Sequence, residues 1–216
     1  MMQPAGFPVD PAGGSLVSAS SLTRAVACLQ EGGIVAFPTE TYYGLAADPF
    51  SEKALQALFH LKARDYRKPV LVLIHDAAQL GDIAESIPDM YRPLMDRFWP
   101  GPLTLIFPGR KDLLPLLTGG TGTIGVRISS NVVAMELCRR WGRPITATSA
   151  NISGLVPAIS AEEVETMLGP GVDFILDGGR APAGRCSSIV AIQDDRLCLI
   201  REGQIDFSLI LEGLKA

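Results

Sequence analysis

Short apolar runs alternate along most of the chain with segments whose apolar residues recur every three or four positions. The apolar runs are rich in β-branched and aromatic residues, and they predict strands at residues 34–37, 70–74, 103–107, 126–128, 144–147, 174–176, 188–192 and 197–201. The periodic segments predict helices at residues 21–30, 52–62, 76–81, 88–98, 110–117, 132–141 and 161–168. Because helices and strands interleave, we predict an α/β fold in one domain.

The last two predicted strands flank the turn Asp194-Asp195 with the spacing of a hairpin. An antiparallel pair among interleaved helices indicates a mixed sheet and not a purely parallel one. Residues 1–14 are rich in proline and glycine and lack periodicity, so we expect a flexible N-terminal arm there. The predicted domain covers residues 15–210, and residues 211–216 form a C-terminal tail.

Polar residues follow the first predicted strand at the point where Pro38 ends it. Thr39, Glu40 and Thr41 place two hydroxyls and a carboxylate there, and Gly44 allows a close approach of the backbone. In open α/β sheets, ligands bind beyond the ends of strands. The stretch therefore indicates a ligand site, although an ordinary strand–turn with capping hydroxyls explains it when it is taken alone.

Cations and hydroxyls recur at other predicted strand and helix ends. They are Lys62, Arg64, Lys68, Thr123, Arg127, Ser149, Asn151, Ser153, Ser187, Ser188 and Arg201. Such groups bind phosphate and carboxylate oxygens, and arginine often does so with two hydrogen bonds. Each residue alone is typical of a solvated helix end, a surface ion pair or a turn. Together they predict a site for a strongly anionic ligand, for which a nucleoside triphosphate is one candidate.

Several function classes are disfavoured. The net charge of −4 argues against a protein that binds nucleic acid over its whole surface. There is no Gly-x-x-x-x-Gly-Lys-[Ser/Thr] or Gly-x-Ser-x-Gly motif, and the glycines at 120, 122 and 125 lead into a strand and not out of one. With only His60 and His75 present, no histidine-based metal site is evident.

The cysteines and apolar runs bear on the compartment. Cys28, Cys138, Cys186 and Cys198 are widely spaced, which favours reduced thiols in a cytoplasmic protein but leaves two disulfides open. The N-terminus lacks the pattern of a signal peptide, and the apolar runs are too short to span a bilayer, so we expect no membrane association.

The ordered motifs between residues 20 and 205 resemble the YrdC-like threonylcarbamoyl-AMP synthase family. They comprise Pro38-Thr-Glu-Thr-Tyr-Tyr-Gly-Leu45, Lys62-Ala-Arg64, Lys68-Pro69, Trp99-Pro-Gly-Pro-Leu-Thr104, Thr123-Ile-Gly-Val-Arg127, Thr148-Ser-Ala-Asn-Ile-Ser-Gly154 and Arg201-Glu-Gly203. The resemblance implies a YrdC/RibB-like fold, which is a twisted open mixed sheet with flanking helices and a concave ligand face. Members form L-threonylcarbamoyladenylate and pyrophosphate from L-threonine, bicarbonate and ATP, for the threonylcarbamoyladenosine modification of tRNA.

The resemblance also implies roles for individual residues. Lys62 and Arg64 would act in catalysis. ATP would be bound by Arg64, Lys68, Thr123, Ser149, Pro157 and Arg201. Threonine would be bound by Thr41, Leu73, Arg127, Ala147 and Ser187. Mg²⁺ would arrive with the nucleotide and not occupy a dedicated protein site.

The resemblance further implies a downstream threonylcarbamoyl-transferase complex as partner, and weak contact with tRNA or double-stranded RNA. The role of Glu40 stays open between orienting its loop and helping to hold Mg²⁺. Ser129 and the run Cys186-Ser187-Ser188 depart from the family pattern. A non-enzymatic RNA-binding relative and a carbamoyl transferase of hydrogenase maturation are the alternative functions.

Overall fold

The helices begin where short polar side chains satisfy free backbone N–H groups. The computed structural model describes residues 17–214, so the predicted arm at 1–14 lies outside the described residues. Ser18, Ser51, Asn131 and Ser160 each accept a hydrogen bond from the first turn of a helix. The α-helices are α1 (Ala19–Gln30), α2 (Glu52–Leu61), α3 (Arg92–Phe98), α4 (Pro115–Thr118), α5 (Val132–Trp141), α6 (Ala161–Leu168) and α7 (Phe207–Glu212).

Three predicted helices differ from the structure at their N-terminal ends. Helix α1 starts earlier than expected because Ser18, and not Ser21, is its cap: the Ser21 N–H donates to Ser18 Oγ at 3.1 Å. Residues Ala77–Asp82 and Asp89–Tyr91 form 3-10 helices, so the helix predicted at 88–98 is α-helical only from Arg92. The helix predicted at 110–117 contracts to α4, which has a proline in its first turn.

The structure has more strands than the apolar runs suggest. The strands are β1 (Val35–Pro38), β2 (Tyr43–Ala46), β3 (Val72–Leu73), β4 (Leu103–Pro108), β5 (Thr123–Arg127), β6 (Ile145–Thr146), β7 (Thr148–Ser149), β8 (Phe174–Ile175), β9 (Ser188–Gln193) and β10 (Arg196–Arg201). Of these, β3, β6 and β8 are shorter than predicted. Strands β2 and β7 fall in stretches predicted as loops. Their backbones pair through Gly44 with Ser149 and Leu45 with Thr148, a register that a local apolar pattern does not encode.

The strands lie in two sheets, each with parallel and antiparallel pairs. One has the order β7-β2-β1-β8, and the other has the order β10-β9-β4-β5-β3-β6. The pairs β1–β8, β3–β5 and β4–β9 are parallel, whereas β1–β2 and β9–β10 are antiparallel. The predicted mixed α/β fold and C-terminal hairpin are therefore confirmed, with the strands divided over two sheets and not gathered in one.

Two apolar clusters hold these layers together. The larger is built around residues such as Phe59, Phe107 and Tyr91, and the smaller lies where α1 and α5 cover β1. Helix α7 continues past residue 210, the predicted end of the domain, and Leu214 packs against the larger cluster. Within residues 17–214, no helix has the length and apolar character needed to cross a membrane.

Gly203 lies after β10 and packs against the loop that precedes β9. A Cβ atom on this buried glycine would overlap backbone atoms of Cys186, Ser187 and Ser188. We expect Gly203→Ala to lower the free energy of unfolding by about 1–3 kcal/mol, since close-packed backbone yields poorly to an added methyl group. Urea unfolding would measure this. Gly81→Ala is the matched control because its Cβ would meet nothing within 4 Å, and an equal loss there would contradict the prediction.

Candidate active site

The loop after β1 is held closed by its own hydroxyl groups. Thr39 Oγ1 donates to the Tyr42 carbonyl at 2.7 Å and accepts from the Thr41 N–H at 3.1 Å. The hydroxyls of Thr39 and Thr41 lie 3.0 Å apart, and both residues are buried. The Ala183 N–H donates to the Thr41 carbonyl at 3.0 Å and ties the loop to a second chain segment. The predicted ligand loop is thus a fixed turn of the β1–β2 hairpin.

Glu40 projects from this loop onto the end of β5. Its Oε1 accepts from Arg127 Nη1, and its Oε2 accepts from the hydroxyl of Ser129. The Arg127 and Glu40 side chains are only 8% and 12% exposed. An ion pair that is so withdrawn from water is held by its geometry, because desolvation opposes the attraction between the charges. Sequence reasoning selected Arg127 but identified neither Glu40 as its partner nor Ser129 as the second donor to Glu40.

The guanidinium of Arg201 lies close enough to Arg127 for the two charges to interact. Burial lowers the pKa of Arg127 from its ordinary value, the Glu40 carboxylate acts in the opposite direction, and nearby Arg201 adds to the lowering. Burial likewise lowers the pKa of Arg201. Two guanidiniums with one carboxylate between the sheets leave this region electropositive in a chain whose net charge is −4.

Arg201 is held by the residue that precedes β9. Its Nε and Nη2 donate to the Ser187 carbonyl at 3.1 and 2.8 Å, and Nη2 also lies 3.0 Å from Ser187 Oγ. The Ser187 hydroxyl is 2.9 Å from that of Thr104, which is fully buried on β4. A threonine inside an otherwise apolar strand was the sequence signal for this contact. The structure therefore brings Arg127, Arg201 and Ser187 into one neighbourhood.

Lys62 is buried at the end of α2, with its ammonium inside the protein. Nζ donates to the Ser149 carbonyl, to the Asn151 carbonyl at 2.7 Å and to Asn151 Oδ1 at 3.1 Å. Burial lowers the pKa of Lys62 to about 7, and the nearby Arg64 guanidinium acts in the same direction. The three acceptor oxygens favour the charged form, which has three N–H groups to give them.

The same lysine fixes the tight loop after β7. The Ser153 N–H donates to the Lys62 carbonyl at 2.8 Å, so the loop is attached to both the backbone and the side chain of Lys62. Within the loop, Ser149 Oγ donates to Asn151 Oδ1 at 2.6 Å, and Asn151 Nδ2 donates to the Leu155 carbonyl at 2.6 Å. Half-buried Pro157 ends this segment.

Arg64 lies over the connector that leads to β3. Its Nη2 donates to the Pro69 carbonyl at 2.8 Å, and its Nε lies 3.4 Å from the Lys68 carbonyl. Burial lowers the pKa of Arg64. The Lys68 side chain is exposed beside it. Arg64 and Lys68 are therefore neighbours at one edge, as the sequence predicted, with Lys62 behind them.

Of the remaining predicted residues, Leu73 lies beside Arg127 in the sheet, whereas the hydroxyl of Thr123 contacts its own turn. Leu73 on β3 is in register with Arg127 on one side and Ile145 on the other, and the Ala147 N–H donates to the Leu71 carbonyl at 2.7 Å. Thr123 opens β5, and its hydroxyl lies 2.8 Å from that of Thr121. Two open clefts of about 560 and 580 Å³ lie elsewhere on the surface, and no predicted site residue lines either.

Glu40, the carboxylate that pairs with Arg127, is already engaged. Both oxygens of Glu40 accept hydrogen bonds from the protein. Across residues 17–214, no group of three or more histidine, cysteine, aspartate or glutamate side chains is arranged to hold a metal ion.

The fold is that of a mixed α/β protein, in which Lys62 and Arg127 are buried and Arg64, Lys68 and Arg201 lie nearer the surface. The family model Sua5_yciO_yrdC, described as "Telomere recombination", matches residues 27–203. The chain belongs to this family, as its motifs indicated.

Curated relatives agree with this assignment. The chain is 40% identical over 185 residues to a threonylcarbamoyl-AMP synthase of Bacillus subtilis, a match that covers 85% of this chain and 54% of that one. It is 41% identical over 160 residues to a protein of the same name from Idiomarina loihiensis, covering 73% of this chain and 86% of that one. The chain spans about half the length of the Bacillus relative.

A solved structure shares the fold. The Sua5 protein of P. abyssi complexed with L-threonine superimposes with a TM-score of 0.86 and 35% sequence identity, over 89% of this chain and 56% of that one. This likeness confirms the YrdC-like architecture.

We expect Lys62→Met to lower the free energy of unfolding by about 3 kcal/mol. The substitution keeps the length of the side chain but leaves three acceptor oxygens without their donor in a buried place. Thermal and urea unfolding would measure the change. Lys53→Met, on the exposed face of the same helix, is the control and should shift stability by less than about 0.5 kcal/mol. A Lys62→Met chain as stable as the wild type would show that these hydrogen bonds do not offset the burial of the charge.

Proposed function

We propose that this chain forms L-threonylcarbamoyladenylate and pyrophosphate from L-threonine, bicarbonate and ATP. The observation that carries the proposal is its likeness to proteins named threonylcarbamoyl-AMP synthase, including one of which it covers 86%. The Sua5 structure with L-threonine supports an amino acid as one ligand. The electropositive region around Arg127 and Arg201 supports ligands that carry carboxylate and phosphate groups.

The cations divide between two ends of the proposed site. Arg64 and Lys68 hold the phosphates of ATP, since both lie at one edge and neither is sealed from the surface. Thr123, Ser149, Pro157 and Arg201 complete the nucleotide side. Arg127 binds the threonine carboxylate, with Thr41, Leu73, Ala147 and Ser187 around the amino acid.

Lys62 acts on the ligand through the loop that it holds. All three of its N–H groups already have acceptors in the protein, so it offers none to a phosphate without giving up a buried hydrogen bond. Its contribution is to fix the Ser149 loop next to the nucleotide. Arg64, which has a donor nitrogen left over, is the group that contacts phosphate.

The chemistry requires charge neutralisation more than a strong base. The deprotonated threonine amine attacks the carbon of bicarbonate, a C–O bond breaks and water leaves, which gives the threonine carbamate. A carbamate oxygen then attacks the α-phosphorus of ATP. The bond from that phosphorus to the bridging oxygen breaks, and pyrophosphate leaves with the electron pair. Fixed cations hold these mutually repelling anions together and stabilise the charge on the departing phosphates. Bound Mg²⁺ would screen the same phosphate charge, held by the nucleotide and water.

The product suits the next step in tRNA modification. We propose that a downstream threonylcarbamoyl-transferase complex takes the adenylate and modifies the adenosine next to the tRNA anticodon, in the cytoplasm. Weak contact of this chain with tRNA or double-stranded RNA belongs to the same proposal.

A direct assay tests the activity. Purified protein is incubated with ATP, Mg²⁺, L-threonine and carbon-labelled bicarbonate, and the products are separated by chromatography. We expect pyrophosphate and a labelled adenylate to appear in equal amounts, and neither to appear without threonine. Release of phosphate with no labelled adenylate would contradict the proposal, as would tight RNA binding by an inactive chain.

Arg64→Ala should reduce formation of the adenylate by about 100-fold, because the variant loses a fixed charge at the leaving phosphates. The measurement is pyrophosphate release under saturating substrates. Arg67→Ala is a close control: Arg67 lies three residues away, but its side chain is 88% exposed and pairs with Asp65. That variant should retain the wild-type rate, and similar losses in both variants would show that the segment, and not the Arg64 charge, matters.

A further inference from the structure

We propose that Glu40 is a positioning residue that holds one nitrogen of the Arg127 guanidinium, so that its other donors face the α-carboxylate of the amino acid substrate. This inference rests on the proposed function, which supplies the amino acid. It assigns a role to a residue whose spacing in the sequence left its purpose open.

Glu40 is fixed from three directions. Arg127 Nη1 donates to one carboxylate oxygen, the Ser129 hydroxyl donates to the other, and the Gln204 side chain lies 3.3 Å from the Glu40 carbonyl. The hydrogen bonds of the Thr39 hydroxyl restrain the same loop. A carboxylate restrained in this way sets the orientation of the guanidinium that it touches.

Arg127 has hydrogen-bond donors for which the described residues supply no acceptor. Within residues 17–214, only its Nη1 has a hydrogen-bond acceptor, and neither Nε nor Nη2 is among the buried polar atoms that lack a partner. Those two nitrogens therefore retain some solvent exposure, although the side chain as a whole is only 8% exposed. They lie on one side of the guanidinium and present two parallel N–H groups, which match the two oxygens of a carboxylate. Lys62 differs, because its donors are all used within the protein.

The charges of the side chains in this region also favour a substrate carboxylate at Arg127. Arg127 and Arg201 bring two positive charges to this region, and Glu40 brings one negative charge. One positive charge is left over, which a single substrate carboxylate neutralises. Without Glu40, Arg127 would be a buried cation free to turn toward other acceptors, and ordering it would fall to the ligand.

Holding Mg²⁺ is the other role open to Glu40, and the contacts argue against it. A carboxylate oxygen that binds the metal must turn its lone pairs toward the ion. Here each oxygen already accepts a hydrogen bond from Arg127 or Ser129. A cation at Glu40 would also stand directly beside the Arg127 guanidinium, which would repel it.

Calorimetric binding of two ligands tests the inference. L-threonine has the carboxylate, whereas L-threoninol has a hydroxymethyl group in its place and should not use Arg127. We expect Glu40→Ala to weaken L-threonine binding by about tenfold or more, with L-threoninol binding changed by less than about twofold. Glu40→Gln should weaken L-threonine binding by less than Glu40→Ala does, because its amide oxygen can still accept a hydrogen bond from Arg127 Nη1. Glu165→Gln, on the exposed face of α6, is the control.

Each other outcome overturns the inference. An equal loss for both ligands in Glu40→Gln, with a lowered melting temperature, would mean that Glu40 only supports the loop. Unchanged or tighter L-threonine binding would mean that Glu40 competes with the substrate for Arg127. A weaker response of ATP binding to Mg²⁺ in Glu40→Gln, with L-threonine binding unaltered, would make Glu40 a metal ligand. A wild-type chain that binds no L-threonine would instead remove the proposed function on which the inference rests.

Discussion

A buried cation must be given oxygen acceptors, and this requirement organises the centre of the molecule. The Lys62 ammonium and the Arg127 guanidinium are both withdrawn from water. Leaving either without partners would be far more unfavourable than leaving an apolar side chain there. The chain answers with the carbonyls of the loop after β7 in one case and with Glu40 in the other. Both loops acquire their shape from the cation that they surround.

The shared requirement explains how loops far apart in sequence are brought to the proposed site. Lys62 and the Asn151 loop are 89 positions apart, and Glu40 and Arg127 are 87 positions apart. Because each contact joins the end of a helix or strand to a loop, the ligand-facing groups are carried on ordered backbone. An acidic chain can in this way keep a local excess of positive charge where anions are to be held.

Local signals in the sequence were enough for much of the fold. Capping serines and an asparagine predicted three helix starts, and the Asp194-Asp195 turn predicted the hairpin, whose two aspartates adopt positive φ angles of 49° and 56°. Strand β7 was missed because it pairs with β2 across about 100 residues and carries no apolar run of its own. Strand β2 forms a local hairpin with β1, but Gly44 interrupts its apolar residues, so no strand was predicted there. The cations of the site were selected by their places at strand and helix ends. Their partners were not, because Glu40 meets Arg127 and Ser129 only when the two sheets are assembled.

Donor occupancy separates cations that build the site from cations that serve a ligand, and residue type alone does not. Lys62 and Arg127 are equally plausible anion binders in the sequence. In the structure, Lys62 donates three hydrogen bonds to the protein, whereas Arg127 donates from one nitrogen. A ligand that contacted Lys62 would have to replace hydrogen bonds that Lys62 already makes within the protein. Such an exchange contributes little to the free energy of binding. A ligand that meets Arg127 gains new hydrogen bonds at a group already oriented. Selectivity for an anion should therefore arise at Arg127, while Lys62 determines whether the loop beside it exists in the required form.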